Sequence, residues 1–162
     1  MKKKEIVYAF IDSQNLNLGV KSNGWNLDWK KFILFLKNKY GVSKAYLFIG
    51  YIEHNSKLYD HLCSLGYNLI FKKVLCVKKG NVKSYKGNVD SELVLNATTM
   101  RYNKAIIVSG DGDFYCLIAY LEKKKKLLAI MVPNRKYSSF LKEFQEYIDP
   151  IYAKKDELEY KK

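Results

Sequence analysis

Five short apolar runs, near residues 5–11, 44–51, 67–75, 104–109 and 127–132, are separated by stretches whose apolar residues recur at helical spacing. The runs are rich in Val, Ile, Leu, Phe and Tyr, which suits strands buried on both faces of a parallel sheet. Between the first two, Trp29, Phe32, Ile33, Leu36 and Tyr40 fall on one helical face behind Asp28, a suitable N-cap. Leu58, Leu62 and Leu65 make a second stripe, stopped by Gly66. Val89, Leu93, Ala97 and Met100 make a third, and Phe114, Leu117, Ile118 and Leu121 a fourth. Phe140, Leu141 and Phe144 mark a short last helix. Strands alternating with helices through short links predict a three-layer α/β/α fold around a mostly parallel central sheet of about five strands.

The chain of 162 residues suits one domain over residues 1–152, followed by a charged C-terminal tail, 153–162, expected to be a frayed helix. Residues 76–88 are basic, carry glycines and lack a period, so they read as a loop before the third stripe. Cys63, Cys76 and Cys116 are odd in number and share no close spacing. That argues against a disulfide framework or a zinc site and for small packed side chains in a reducing compartment. No segment approaches the roughly 20 apolar residues of a membrane span. The apolar run between Glu5 and Asp12 is too short for a signal peptide, so a cytoplasmic location is expected. The net charge of +13 fits a polyanionic partner, whose counterions lysines would release, or a lysine-rich solvated surface. Charge alone does not choose between them.

Two of the apolar runs end in acid. Ile106-Ile107-Val108 runs into Ser109-Gly110-Asp111-Gly112-Asp113, and Ile6-Val7-Tyr8-Ala9-Phe10-Ile11 runs into Asp12. In open parallel sheets, ligands bind beyond the carboxyl ends of the strands where strand order reverses. If the first and fourth runs are neighbours there, Asp12, Asp111 and Asp113 converge. Asp90 joins them if the third helix starts at the same edge. Carboxylates gathered this way repel one another and need a cation, and a set without His or Cys favours Mg2+ or Mn2+ over zinc. Taken singly, Asp111 or Asp113 reads as a turn residue or cap, Asp12 as the start of an Asn-rich turn, and Asp90 as a first-turn acid. The joint placement is what points to a metal. Asn15 either holds Asp12 or a substrate phosphate by hydrogen bonds, or shapes the turn. Ser109 lies beside the acids, but His54 and His61 fall in the second helical region, away from any position to activate it.

Lys72, Lys73, Lys78, Lys79, Lys83 and Lys86 flank the 76–88 loop, with Tyr85 interleaved as a platform on which a base would stack. A solvated loop is the competing explanation. Lys123 to Lys126 close the fourth helix, where the helix dipole already accounts for them.

Three segments carry a family resemblance: Phe10-Ile11-Asp12-Ser13-Gln14-Asn15-Leu16, Lys86-Gly87-Asn88-Val89-Asp90-Ser91-Glu92-Leu93, and Val108-Ser109-Gly110-Asp111-Gly112-Asp113-Phe114. Together, and in this order, they resemble the NYN domain, the LabA-like branch of the PIN-like nuclease superfamily, over roughly residues 5 to 150. The resemblance implies a PIN-like fold and an acidic pocket binding Mg2+ or Mn2+. It also implies hydrolysis of RNA phosphodiester bonds by metal-activated water. It carries over Asp12, Asp90, Asp111 and Asp113 as catalytic and metal-binding acids, with Asn15 as a supporting polar residue; Ser109 joins Asn15 in that role by its place beside the acids. Lys72, Lys73, Lys83, Tyr85 and Lys86 become the expected nucleic-acid contacts. The implied partner is RNA, with DNA as an alternative, and a homodimer is compatible with so small a nuclease. Many members carry a further acid where this chain has Asn96, which bears on the number of metal ions. A toprim-like nucleic-acid enzyme would need Glu in place of Asp12. A haloacid-dehalogenase-type phosphatase would need a second acid at Gln14. A non-catalytic RNA-binding module would have little use for four acids that repel phosphate.

Overall fold

The computed structural model describes residues 2–86 and 89–162, with the side chains of Tyr85 and Lys86 excepted. The first half of the chain builds β1 (Val7–Asp12), α1 (Ser13–Lys21), α2 (Trp29–Tyr40), β2 (Val42–Tyr51), α3 (Ser56–Ser64), β3 (Tyr67–Lys73), β4 (Leu75–Lys79) and β5 (Val82–Lys86). The second half adds α4 (Asp90–Thr99), β6 (Lys104–Val108), α5 (Tyr115–Lys123), β7 (Leu127–Val132), β8 (Ile148–Pro150) and α6 (Lys155–Leu158). Six strands form one sheet in the order β3-β2-β1-β6-β7-β8, every neighbouring pair parallel.

Strand geometry divides the core, because successive side chains point to opposite faces. Ala9, Ile11, Ile106, Val108, Ala129 and Met131 pack on one face with α1, α2 and α3, through Leu16, Val20, Phe32, Leu36 and Leu62. Phe10, Ile107, Ile130 and Val132 pack on the other with α4 and α5, through Leu93, Ala97, Phe114, Leu117 and Ile118. The expected α/β/α layering is therefore present. Asp28 caps α2 by accepting the Lys31 amide at 3.0 Å, and Gly41 ends that helix with φ 67°.

Five local expectations change. The main sheet has six strands, because β8 is only three residues long and carries too little pattern to register. Residues 75–86 form an antiparallel hairpin, with Gly80 at φ 61° in its turn, and are not a structureless loop. The stretch after Asp12 is a helix, α1, whose buried face is Leu16, Gly19 and Val20. The C-terminal tail is docked: Leu158 is 1% exposed, the Asp28 amide donates to the Leu158 carbonyl at 2.8 Å, and Tyr160 donates to Asn26 at 2.8 Å. These contacts, with the Lys31 ammonium donating to the Glu159 carbonyl at 2.9 Å and Lys154 paired with Asp149, hold a stretch that composition reads as frayed. Cys63, Cys76 and Cys116 are free thiols, exposed and not packed. No helix among the described residues is long and apolar enough to cross a membrane.

Beside the docked tail lies a buried polar cluster. Asp149 on β8 accepts from Lys39 at 2.9 Å, from Lys154 at 2.5 Å and from the Tyr40 hydroxyl. Burial pushes the Asp149 carboxyl up, but hydrogen bonds from Lys154, Tyr40 and Lys39 outweigh it and hold the group below its ordinary value.

Candidate active site

From β1 the chain winds outward through β2 to β3, then crosses back and winds the other way through β6, β7 and β8. Strand order reverses between β1 and β6, which pair in register from Val7↔Lys104 to Ile11↔Val108. Asp12 follows Ile11 as the last residue of β1, and Ser109-Gly110-Asp111 follows Val108, so two acid-bearing turns leave the same edge side by side.

Each turn is built by the acid it carries. Asp12 is the N-cap of α1, its carboxylate accepting the Asn15 amide at 3.2 Å. Asp111 caps the 3-10 turn Gly112–Phe114, accepting the Asp113 amide at 2.9 Å. Ser109, 1% exposed, accepts the Asp111 amide on its hydroxyl at 3.1 Å. Asn15 joins the two turns, since its side-chain oxygen accepts the Gly110 amide at 2.9 Å. Asp90 opens α4 behind the buried Val89.

One carboxylate oxygen from each of Asp12, Asp90 and Asp111 lies within 4.8 Å of the other two. Burial pushes the Asp12 carboxyl up to about 6, with the charges of Asp90 and Asp111 adding to the shift and the Asn15 amide opposing it. No lysine or arginine pairs with Asp12 or Asp111 among the described residues. A crowded, oxygen-only donor set with one member strained toward protonation fits a hard divalent cation such as Mg2+ or Mn2+.

The acids face a cleft of about 540 Å³. Its far wall is the segment after β7, with Pro133, Asn134, Lys136 and Tyr137, and Gln14 lines it from α1. Two glycines let that wall close in. A Cβ at Gly19 would sit 2.5 Å from the Pro133 Cβ, and one at Gly110 would sit 3.0 Å from the Tyr137 Cβ. None of Gln14, Asn134, Lys136 and Tyr137 is marked by a local motif. Their only signal is position, beyond the carboxyl end of a strand bordering the switch point.

The remaining sequence candidates are placed differently. Asp113 is exposed and stands outside the three-acid group, its amide serving Asp111. Asn96 donates to the Glu92 carbonyl at 2.7 Å within α4. Lys72 pairs with Glu92 at 3.3 Å, joining the end of β3 to α4. Lys73, Lys78, Lys79 and Lys83 are exposed, and among the described residues none of these lysines lines the acidic cleft. The Tyr85 and Lys86 side chains, and residues Gly87 and Asn88, lie outside the described residues. His54 and His61 also stand away from the cleft.

A model of the NYN domain family matches residues 7–153. That family is typically one of nucleases, and its domains bind nucleic acid. The low amplitude and bright protein LabA of Synechococcus elongatus is 28% identical over 131 residues, a match covering 75% of this chain and 70% of LabA. Among solved structures, a Vibrio parahaemolyticus protein of unknown function superposes with a TM-score of 0.72 at 21% identity. That match covers 93% of this chain and 96% of the other, and it is a likeness of fold.

Proposed function

The chain belongs to the NYN domain family, and from that premise we propose that it is a metal-dependent ribonuclease acting at the Asp12–Asp90–Asp111 cleft. The observation that carries this reading is the approach of three carboxylates to within 4.8 Å at the switch point of the sheet, with Asp12 held in a state that burial and its neighbours disfavour. Acids so placed repel a phosphodiester unless a cation lies between them.

Asp12, Asp90 and Asp111 hold Mg2+ or Mn2+ in this reading; when bound, such an ion lowers the pKa of water and stabilises charge on a phosphoryl oxygen. The protein's own part is positioning. Capping bonds fix the Asp12 and Asp111 carboxylates, Asn15 locks their turns together, and Ser109 braces the turn that carries Asp111. Lys136 on the opposite wall supplies a charge for the sugar-phosphate backbone, while the Asn134 side chain, donating to the Ser22 hydroxyl at 3.0 Å and accepting the Lys136 amide at 2.9 Å, shapes that wall. Asp113 stays outside the metal set. The three free thiols suit the reducing cytoplasm, the location this reading assumes.

The test is cleavage of end-labelled single-stranded RNA and DNA by wild type and Asp111→Asn, with Mg2+, Mn2+ or EDTA. Cutting of RNA that needs metal and is lost in Asp111→Asn is expected, and the product lengths separate internal from terminal cleavage. If folded wild type cuts nothing with either metal yet binds RNA in a salt-sensitive way, the chain is instead a non-catalytic RNA-binding module.

A further inference from the structure

A second cavity, of about 380 Å³, adjoins the acidic cleft. Gln14 and Val89 line both, so the two spaces are separated by a ridge of two side chains. The chemistry changes across that ridge. The second cavity has a floor and walls of Leu47, Ile49, Leu62 and Val74, with the Trp29 and Tyr59 rings, and its polar groups include the side chains of Asn17 and Asn55. Among the described residues, no hydrogen bond engages either side-chain amide.

The cavity is preformed. The Tyr59 hydroxyl donates to the Gly50 carbonyl at 3.0 Å and accepts the Ile52 amide at 2.9 Å, so the end of β2 is clamped to α3. Gly50 lets the chain leaving β3 close over it, since a Cβ there would sit 2.7 Å from the Val74 side chain. Val74 and Val89 bracket the lysine-bearing hairpin of β4 and β5, which therefore springs from the cavity's own wall.

We propose that this cavity takes one unstacked nucleobase of the RNA strand whose phosphate lies in the neighbouring acidic cleft. The inference rests on the ribonuclease reading of that cleft and adds to it a substrate class, single-stranded RNA. Flat heterocycles bring apolar faces and a hydrogen-bonding edge, which this lining matches with aliphatic and aromatic walls and two unengaged amides. Continuity with the acidic cleft lets one strand place its base on one side of the Gln14–Val89 ridge and its phosphate on the other. A base paired in a duplex cannot enter.

The closing experiment measures RNA binding by full-length Asp111→Asn, a cleavage-deficient background, using short single-stranded RNAs with one abasic site moved along the strand. Trp29 is the internal reporter, and Trp29→Phe the control for its fluorescence. The expected result is quenching of Trp29 by intact RNA and a loss of affinity of about tenfold at one abasic position. Leu58→Phe on the exposed rim, and separately Asn17→Ala with Asn55→Ala, should each erase that positional dependence in the Asp111→Asn background. A flat abasic profile with cleavage intact overturns the base site and leaves the ribonuclease reading standing. Absence of any RNA binding or cleavage overturns both.

Discussion

The Asn15 side-chain oxygen accepts the Gly110 amide at 2.9 Å, while the Asn15 backbone amide donates to the Asp12 carboxylate at 3.2 Å. A single residue thus holds one acid directly and the turn of another at one remove. Asn15→Ala leaves the part-buried Gly110 amide without its partner, which costs about 1–3 kcal/mol. Melting temperature should fall by several degrees. Cleavage should fall through kcat, with KM for RNA little changed, because the lost contact sets the spacing of the acids and touches no phosphate. A fall confined to KM would show that Asn15 contacts substrate instead.

Asp12 carries a stability signature of its own. Its folded pKa of about 6 lies above the ordinary 3.8, with burial the main cause and Asp90 and Asp111 next. The folded state therefore binds this proton more tightly than the unfolded chain does. Its contribution to metal-free stability is most favourable below about pH 4 and is lost as pH rises through about 6. Asp12→Asn removes the buried charge and keeps the capping acceptor, since Asn caps as well as Asp. In EDTA around pH 7 the variant should melt a few degrees above wild type, with the gap closing toward pH 4. Mg2+ or Mn2+ should raise the wild-type melting point around pH 7 and hardly move Asp12→Asn. Thermal denaturation with and without EDTA across that range reads both effects.

The strands ending in acid were legible because burial on both faces leaves near-continuous apolar runs, and a carboxylate closing such a run stands out. Their adjacency was a condition that the switch-point rule required and the sequence alone did not supply, and β1 does pair with β6. What stayed hidden had a physical reason in each case. In α1, Leu16 and Val20 bury a face among Ser, Gln and Asn residues that locally favour turns, so propensity and burial point opposite ways. Among the described residues the β4–β5 hairpin pairs with no other strand, and its exposed Leu75 and Val82 make no buried stripe to read. Leu158 is the one buried side chain of residues 153–162, below the threshold of any periodicity, and the tail's remaining contacts are polar or backbone bonds that leave no apolar pattern. Asn134 and Lys136 reach the cleft only because β7 ends where it does.

Asp111 and Asp113 look equivalent in the sequence and are not equivalent in the fold. The 3-10 turn Gly112–Phe114 intervenes, and at about three residues per turn side chains two apart diverge. Asp111 joins Asp12 and Asp90, while Asp113 is exposed and gives only its amide to the Asp111 carboxylate. Asp111→Asn should lose cleavage by on the order of a hundredfold or more, since changes one shell further out already cost 10–100-fold in metal affinity. Asp113→Asn keeps the amide and should stay within a few-fold of wild type. Single-turnover cleavage with saturating metal compares them. Equal losses would place Asp113 among the ligands.

Stability away from the cleft turns on Asp149, whose folded pKa lies below its ordinary value. The linkage sign is the reverse of that for Asp12. Stability from this group is present above about pH 4 and is lost as pH falls through its depressed pKa. Asp149→Asn leaves Lys154 and Lys39 without their carboxylate and should cost about 2 kcal/mol at neutral pH, discounted because Lys39 is half exposed. Denaturant melts should show that loss near neutrality and a shrinking gap below about pH 4. Cleavage per folded molecule should be unchanged.

Two lysines separate cleft contacts from structural ones. Lys136 lines the wall facing the acids, whereas Lys72 is engaged by Glu92 at 3.3 Å and ties β3 to α4. If Lys136 neutralises a phosphate, Lys136→Ala should weaken RNA binding and lower the slope of log affinity against log salt by about 0.7, the value for one contact on a single strand. Removing Lys72 takes away a charge already compensated, so Lys72→Ala should leave the slope nearly unchanged and alter stability by no more than about 1 kcal/mol. Binding isotherms across a salt series distinguish the two, because a structural lysine changes melting without changing the slope and a phosphate contact does the opposite. A slope change in Lys72→Ala matching that of Lys136→Ala would mean that RNA displaces Glu92 from Lys72, extending the strand's path from the cleft to the end of β3.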